Sequence, residues 1–430
     1  MTWDPVTKAK KSKTFCITPW IHQYVGTHGD VKPCCIYKHE LELGSLKANS
    51  LEEIWNSTET KKLRMDMLNG ISSPGCEACN EAEKYTNQSH RIKFNEHFLD
   101  HFKCDDTLSS TTIDGFTPLH KLYYIDVRFN NLCNLKCMTC TPVYSSSLAE
   151  DYKKVHPISS MNAGFSFPGK TEDDVFEQIL PHLPYVKEIY FAGGEPMMQK
   201  EHYMVLEKLI EMNLKPIIRY NTNFSRLSLG KYNVFDLWKN FDKVLVHASL
   251  DGNYEVAEYW RKETDWNTIV NNRKALQTKV PHVEFVIACT VSWPNALNVL
   301  KLHKEWYELG LININDFNIN PIFGPDYFSL TVLPKWKMDK IEKAYNEHID
   351  WLFSLDENTT WVINKFRDII AHMKSKFGKV DFPSHDFHKV ITSFDGIRKS
   401  NKSFFEVFKE HLDMESYLDQ QGYKFKRNLI

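Results

Sequence analysis

Short apolar runs recur between residues 120 and 325, and each is followed by a segment whose apolar positions have helical spacing. Apolar runs of this length, bounded by polar or turn-forming residues, predict buried strands. The predicted strands are 122–129, 186–192, 216–220, 243–249, 283–290 and 316–320. The predicted helices are 145–154, 171–183, 201–212, 232–240, 266–277 and 296–309, the last ending before Gly310 as its C′ residue. Six strand–helix units predict parallel strands joined by right-handed crossovers.

The segments on either side of this region have other patterns. Residues 51–68 have helical spacing, and Ser50 with Glu53 forms a predicted capping box at their start. Beyond residue 330 there is no cysteine, and the pattern predicts helices over 335–353, 360–376 and 404–412, with Pro383 in a connecting loop. The predicted organisation is a flexible basic tail (1–13), a cysteine-rich α+β module (14–117), an α/β core (118–330) and a helical C-terminal extension (331–430).

Composition narrows the class of protein. Apolar residues make up 42% and charged residues 25% of the 430 residues, which is typical of a globular protein. The formal net charge of −2 gives no overall field that would attract nucleic acid, so we expect no nucleic-acid partner. No apolar run approaches the ~20 residues of a membrane span, and the N-terminus lacks the apolar segment of a secretory signal. We therefore expect a cytoplasmic protein whose ten cysteines are reduced thiols or metal ligands.

The strongest chemical signal follows the first predicted strand. Cys133, Cys137 and Cys140 stand in a C-x3-C-x2-C spacing. Closely spaced thiolates hold iron–sulfur clusters, and a 4Fe–4S cluster needs one more ligand than this loop supplies. One iron is then open to a ligand that is not protein. The alternative is a structural zinc site, which favours paired C-x2-C units and closes every coordination position.

A second motif, Gly193-Gly194-Glu195-Pro196, follows the second predicted strand. Together with the cysteine loop it resembles the two signatures of the radical S-adenosylmethionine (SAM) enzymes. The resemblance implies a partial (βα)6 TIM-type barrel with its site at the carboxyl ends of the strands. A doubly wound sheet is the alternative, but no G-x-G-x-x-G follows the first strand. Thr139 departs from the family, whose members often have an aromatic residue there.

The resemblance also implies cofactors and their contacts. SAM would chelate the open iron of the 4Fe–4S cluster, and reductive cleavage would yield a 5′-deoxyadenosyl radical that takes hydrogen from a substrate. The residues that the resemblance assigns to SAM are Gly193, Gly194, Glu195, Pro196, Thr222, Asn223, Ser249 and Asp251, with the backbone of 290–295 beside the adenine. For the polar residues the competing interpretation is that they cap loops or helices.

The N-terminal module resembles the SPASM and twitch domains that accompany many radical SAM enzymes. The residues that carry this resemblance are Cys16, the G-x4-C of Gly29 and Cys34, LEEIWNS at 51–57, and the C-x2-C of Cys76 and Cys79. It implies an auxiliary 4Fe–4S cluster on Cys16, Cys34, Cys76 and Cys79, with Cys35 as the alternative to Cys34. Two departures are the position of the module before the barrel and Tyr85 where relatives have a further cysteine. A zinc ribbon on the same cysteines is the alternative.

Three functions are compatible with these motifs. The first is a radical SAM enzyme that modifies a peptide or protein, as the SPASM resemblance implies. The second applies the same chemistry to a small metabolite, a sugar or a nucleotide-derived substrate. The third is a non-catalytic iron–sulfur or zinc scaffold or electron carrier. Either enzyme would need an electron donor such as flavodoxin or ferredoxin, and the sequence identifies no catalytic side chain.

Overall fold

The computed structural model of the chain describes residues 3–38, 40–85, 89–156, 164–376, 378–398 and 401–426. Its strands are β1 (Tyr24–Val25), β2 (Asp30–Lys32), β3 (Gly44–Ser45), β4 (Tyr124–Val127), β5 (Lys136–Cys137), β6 (Glu188–Phe191), β7 (Ile217–Thr222), β8 (Ser228–Leu229), β9 (Tyr232–Asn233), β10 (Val244–Ala248), β11 (Arg261–Lys262), β12 (Glu284–Val291) and β13 (Phe317–Pro321). All six strands predicted from apolar runs are present, as β4, β6, β7, β10, β12 and β13.

The α-helices vary in length from single turns to the 19 residues of the longest. They are α1 (Pro5–Lys11), α2 (Thr18–Ile21), α3 (Leu51–Trp55), α4 (Thr58–Leu68), α5 (Glu77–Tyr85), α6 (His90–Asn95), α7 (Asp106–Ser109), α8 (Ala149–Val155), α9 (Asp174–Ile179), α10 (Lys200–Glu211), α11 (Val234–Trp238), α12 (Tyr254–Trp260), α13 (Trp266–Lys279), α14 (Ala296–Glu308), α15 (Lys335–Phe353), α16 (Thr360–Lys374), α17 (Ser384–Arg398), α18 (Phe404–Val407) and α19 (Leu412–Gln420). No helix among the described residues has the length and apolar character that a membrane crossing requires.

The chain forms two compact units. Unit 1 contains residues 1–132, 165–220 and 228–244, and unit 2 contains residues 133–164, 221–227 and 245–430. In unit 1, β1, β4, β6 and β7 are parallel neighbours in that order, and β2 and β3 continue the sheet antiparallel beyond β1. In unit 2, β10, β12 and β13 are parallel neighbours, and β5 pairs antiparallel with β11. The structure confirms the predicted α/β class, with parallel strands, an N-terminal cysteine-bearing module and a helical C-terminal region.

Each unit has its own aromatic core. In unit 1, Trp20 and Trp55 are almost completely buried, and Arg64 lies between them with its guanidinium 4.5 Å from the Trp55 ring. Arg64 is itself buried and donates to the Pro19 carbonyl at 3.0 Å. In unit 2, Trp293 is fully buried and contacts aromatic rings of the C-terminal helices α17 and α18. The C-terminal extension is thus part of the core of unit 2.

The structure corrects two predictions in the N-terminal region. The predicted flexible tail contains helix α1, because Asp4 caps it and Ala9 is buried against unit 1; residues 1–2 lie outside the described part. The single helix predicted over 51–68 is two helices, because the Ser57 hydroxyl accepts from the Thr60 N–H and starts α4 anew. The predicted capping box of Ser50 and Glu53 is confirmed.

The C-terminal prediction is right for α15 and α16 and incomplete after Pro383. Helix α17 begins at the residue after this proline and was not predicted. The helix predicted over 404–412 is instead α18, a 3-10 turn over Lys409–His411, and α19. Gly310 has φ of +64°, which confirms it as the C′ residue of α14. The two compact units do not follow the boundaries predicted at 117/118 and 330/331, which stay predictions.

Candidate functional site

Four of the five N-terminal cysteines line one pocket in unit 1. Cys16, Cys34, Cys76 and Cys79 are all in its wall, which is otherwise mainly apolar and includes Met67 and Phe94. Cys16 is placed just before α2, Cys34 follows β2, and the 3-10 turn Pro74–Cys76 leads into α5, which carries Cys79. Three separate stretches of the chain therefore bring these thiols together. Thiols in an apolar pocket are a donor set that fits an iron–sulfur cluster.

Cys35 lies in a different environment from Cys34. It does not line the pocket, and its electrostatic neighbours include Asp126 and Arg128 on and after β4. Burial, followed by the Asp126 carboxylate, raises the pKa of the Cys35 thiol to about 11. Of the two cysteines that the sequence left open as the fourth ligand, the geometry favours Cys34.

Burial raises the pKa of the Cys34 and Cys76 thiols in the pocket. Burial, followed by the charges of Cys16 and Cys79, raises the pKa of Cys76 to about 12. Burial also raises the pKa of Cys34 well above its ordinary value, with Cys16 among the additional causes. Because metal ligation requires thiolates, filling this pocket with a cluster must release protons.

The Gly-Gly-Glu-Pro motif, also in unit 1, packs against the residues that precede the cysteine loop. Gly193 has φ of +115°, a conformation that favours glycine, and a Cβ there would meet the Arg128 side chain at 2.9 Å. The Gly194 N–H donates to the Asn130 carbonyl at 3.3 Å, and the Glu195 N–H donates to the Leu132 carbonyl at 2.7 Å. The motif is thereby joined through its backbone to residues 130–132.

Glu195 and Pro196 begin a 3-10 turn, Pro196–Met198, that leads into α10. Glu195 is 1% exposed, and its Oε1 accepts from the Met197 N–H at 3.2 Å. Pro196 occupies the first position of the turn, where its missing N–H has no cost. The predicted contacts of the four motif residues with SAM stay predictions.

The cysteine loop belongs to unit 2. Cys137 is buried, whereas Cys133 and Cys140 are partly exposed. The Cys140 N–H donates to the Cys137 carbonyl at 3.3 Å, and the Leu135 N–H donates to Cys133 Sγ at 3.5 Å. Burial, followed by the Cys137 charge, raises the pKa of Cys140 to about 12. The loop therefore places Cys137 and Cys140 near each other and supplies an N–H donor to the Cys133 sulfur, and N–H donors to sulfur are common in cluster-binding loops.

The residues that follow β7 hold the cysteine loop. The Asn223 side-chain amide donates to Asn134 Oδ1 at 3.0 Å and lies 3.9 Å from Cys133 Sγ. The Asn134 amide donates in turn to Ser225 Oγ at 2.9 Å. Thr222 accepts from the Phe224 N–H at 2.9 Å. Asn223 and Thr222 thus have structural contacts within unit 2, and their predicted contacts with SAM stay predictions.

Ser249 and Asp251 follow β10. The Ser249 N–H donates to the Thr222 carbonyl at 2.8 Å. Asp251 is 0% exposed; one carboxylate oxygen accepts from Arg261, and the other accepts from the Thr290 N–H at 2.8 Å. The Asn295 amide donates to the Asp251 and Thr290 carbonyls, which fixes the segment after β12. Both Asp251 oxygens are therefore engaged, and its predicted contact with the ribose stays a prediction.

Two arginines beside the cysteine loop were not predicted. Arg261 lies opposite Cys137 in the β5–β11 pair. Arg398, at the end of α17, donates to the Lys136 carbonyl at 2.5 Å and contacts Met138 Sδ at 3.0 Å. Both side chains come from segments distant in sequence, and the cysteine spacing gives no sign of them.

The predicted site residues therefore divide between the two units. The pocket cysteines and the Gly-Gly-Glu-Pro motif lie in unit 1, and the cysteine loop with Thr222, Asn223, Ser249 and Asp251 lies in unit 2. Among the described residues, no three His, Cys, Asp or Glu side chains converge closely enough to hold a single metal ion. The donors in both cysteine sets are thiols, the ligands that iron–sulfur clusters take.

Comparison with known proteins identifies the N-terminal module. Residues 16–80 match the family model of SPASM, described as an iron-sulfur cluster-binding domain. No curated protein matches the chain. The SPASM module predicted from Cys16, Cys34, Cys76 and Cys79 is confirmed by the family match.

Several solved structures resemble parts of the chain. Native anSMEcpe with bound AdoMet and Cp18Cys peptide is 19% identical, with 52% of this chain and 58% of that chain covered and a TM-score of 0.37. Streptococcus suis SuiB bound to S-adenosylmethionine is 13% identical, with coverage of 70% and 64% and a TM-score of 0.37. TYW1 with a lysine-pyruvate adduct is 13% identical, with coverage of 53% and 71% and a TM-score of 0.28. The chain spans less than two thirds of the length of anSMEcpe and of SuiB.

Proposed function

We propose that this chain is a radical SAM enzyme with an auxiliary iron–sulfur cluster and that it modifies a peptide or protein. The observation that carries the proposal is the cysteine loop of unit 2, where Cys133, Cys137 and Cys140 are the only cysteines within the segment 133–164. Three thiolates leave one iron of a 4Fe–4S cluster without a protein ligand. A carrier or scaffold gains nothing from an open iron, whereas an enzyme that must chelate SAM requires one.

The residues of this chain have distinct tasks in the proposed reaction. When bound and reduced, the cluster supplies the electron that cleaves SAM to methionine and a 5′-deoxyadenosyl radical, which takes a hydrogen atom from the substrate. Cys133, Cys137 and Cys140 hold that cluster, while Leu135 and Asn223 steady the loop through the contacts described above.

The other predicted contacts with SAM are part of the proposal. Gly193, Gly194, Glu195 and Pro196 accommodate the methionine portion, and Ser249 contacts the ribose. Thr222 and Asn223 shape the segment beside the cysteine loop, and Asp251 holds Arg261. The adenine would border residues 290–295.

The pocket of unit 1 would hold the auxiliary cluster. With Cys16, Cys34, Cys76 and Cys79 all bound, that cluster has no open iron, so it relays electrons or helps to place the substrate rather than binding SAM. The assignment of a peptide or protein substrate is supported by the match to the SPASM module over residues 16–80. The electron donor would be a small redox protein such as flavodoxin or ferredoxin.

Iron content tests the number of clusters. Anaerobically reconstituted protein should contain about eight iron atoms and eight sulfides per chain, as two 4Fe–4S clusters require. About four irons together with one zinc would contradict the auxiliary cluster and support a zinc ribbon in unit 1.

A double variant tests whether SAM binds at the cysteine loop of unit 2 and not at the cluster of unit 1. In Cys76→Ala/Cys79→Ala, the cysteine loop of unit 2 is unchanged, so SAM affinity and 5′-deoxyadenosine formation without substrate should persist in protein whose folding is verified by circular dichroism. Turnover of the true substrate should fall sharply. A folded double variant that keeps its remaining cluster but no longer binds SAM would show that the SAM site is the N-terminal cluster.

A further inference from the structure

The side chain of Arg261 connects the cysteine loop to a buried carboxylate. β11 and β5 pair antiparallel, with Arg261 directly opposite Cys137. The Arg261 Nη1 group lies 3.7 Å from Cys137 Sγ, within hydrogen-bonding reach of a sulfur acceptor. The Met138 N–H donates to the Trp260 carbonyl at 2.9 Å, which continues the pairing by one residue. The backbone thus fixes the separation between the guanidinium and the sulfur.

Asp251 fixes the orientation of the same guanidinium. Arg261 Nε and Nη2 both lie against Asp251 Oδ2, at 2.8 and 2.7 Å. The other carboxylate oxygen is held by the Thr290 N–H, and Asp251 is 0% exposed. Only the third arm of the guanidinium remains to face the sulfur. A planar fork can satisfy a carboxylate and a sulfur at once, whereas the single ammonium of lysine cannot do so in the same geometry.

The Arg261 charge persists in this environment. An arginine guanidinium stays protonated at every pH at which the protein is folded, and the Asp251 carboxylate lies against it. Its side chain is 14% exposed, so water screens the charge only weakly. A fixed cation beside a thiolate ligand stabilises whichever state of a cluster carries more negative charge.

We infer that Arg261 is a positioning residue that donates a hydrogen bond to the Cys137 thiolate and sets the reduction potential of the SAM-binding cluster, with Asp251 holding it in place. This inference rests on the proposed function, because it requires a cluster on Cys133, Cys137 and Cys140. One-electron reduction adds a negative charge to the cluster, so a donor and cation at Cys137 raise its potential. Without Arg261 the cluster is harder to reduce.

The test is a potentiometric titration of the reconstituted protein without SAM, followed by electron paramagnetic resonance. The signal of the unit 2 cluster is assigned in the parent protein as the one whose g-values change when SAM is added. Arg261→Met keeps the length of the side chain and removes charge and donor, whereas Arg261→Lys keeps the charge. If Arg261→Met does not retain its iron, Arg261→Gln takes its place. The matched control is Arg273→Met, since Arg273 is also buried, donates to the Leu311 carbonyl at 2.6 Å and lies on α13.

Arg261→Met should lower the equilibrium constant for one-electron reduction of the SAM-responsive cluster at least tenfold. This corresponds to a shift of about 59 mV to more negative potential. Arg261→Lys keeps the charge but cannot reach Asp251 and the sulfur together, so it should recover only part of that shift. Arg273→Met should leave the potential at the parent value. A parent potential in an Arg261→Met protein with full iron content would overturn the inference. Absence of any SAM-responsive cluster in the parent protein would instead contradict the proposed function, so the two failures are distinguishable.

Discussion

Gly194 lies directly against the backbone of Leu132. A Cβ atom at position 194 would stand 2.2 Å from the Leu132 carbonyl oxygen and 2.7 Å from the Asn131 carbonyl carbon. Neither atom belongs to a flexible side chain that could move aside. The next residue after Leu132 is Cys133, the first residue of the cysteine loop.

Substitution of Gly194 by alanine should therefore reduce loading of the loop. Displacement of the backbone at 131–132 should cost about 1–3 kcal/mol in the free energy of unfolding, as overpacking does. Iron bound per chain should fall toward the four atoms of the auxiliary cluster. Iron analysis and chemical denaturation measure the two effects.

The matched control for this variant is Gly396→Ala. Gly396 lies within helix α17, and a Cβ there would meet no atom within 4 Å. Because glycine weakens a helix interior, this substitution should raise stability by about 0.5–1 kcal/mol and leave iron content unchanged. Equal iron content in the two variants would contradict the structural role of Gly194.

Cys34 and Cys35 should differ in their effect on the auxiliary cluster. Cys34→Ala removes a thiol from the pocket wall, whereas Cys35 does not line the pocket. Cys34→Ala should therefore lose the cluster of unit 1, and Cys35→Ala should keep it. Iron and sulfide analysis with Mössbauer spectroscopy distinguishes the two. Loss of the cluster in Cys35→Ala but not in Cys34→Ala would reverse the assignment.

Much of the fold could be predicted from local sequence pattern. The six core strands were recognised because each is a buried apolar run, and the Ser50–Glu53 box because capping is local in sequence. The pairing of β5 with β11 could not be predicted. These strands have two residues each, and their partners lie more than a hundred residues apart. That pairing places Arg261 beside Cys137, so the contact between these two residues could not be predicted either.

The break between α3 and α4 shows a different limit. Apolar spacing continues through residues 51–68, and only the capping by Ser57 separates the helices. Helix α17 was missed because Pro383 suggested a loop, although proline often precedes or begins a helix. The candidate site was predicted where thiols and glycines are close in sequence. Arg261 and Arg398 could not be predicted as part of the site, because only the tertiary structure brings these residues beside the cysteine loop.

Stability should depend on pH through His202. Burial lowers the pKa of His202 from 6.5 to about 3; the side chain is 0% exposed and lies 2.8 Å from the Tyr220 hydroxyl. Below pH 6.5 the unfolded chain binds a proton here that the folded chain does not bind until about pH 3. The contribution of neutral, buried His202 to the free energy of unfolding is therefore fully present above pH 6.5 and is lost as the pH falls toward 3.

His202→Gln should remove this contribution. The slope of the unfolding free energy against pH, between about pH 6 and 4, should decrease by about 1.4 kcal/mol per pH unit. Urea denaturation at several pH values measures it. An unchanged slope in His202→Gln would show that this histidine is not the acid-sensitive group.

The most direct test of the proposed function is formation of 5′-deoxyadenosine from SAM by the reduced, reconstituted protein. We expect slow formation of 5′-deoxyadenosine and methionine in equal amounts without substrate, because an open iron binds SAM regardless of what is to be modified. In Cys133→Ala/Cys137→Ala/Cys140→Ala, the product should disappear while the iron of the unit 1 pocket remains. Continued formation of 5′-deoxyadenosine by the triple variant would contradict the proposed function. Absence of the product from parent protein with both clusters filled would contradict it as well.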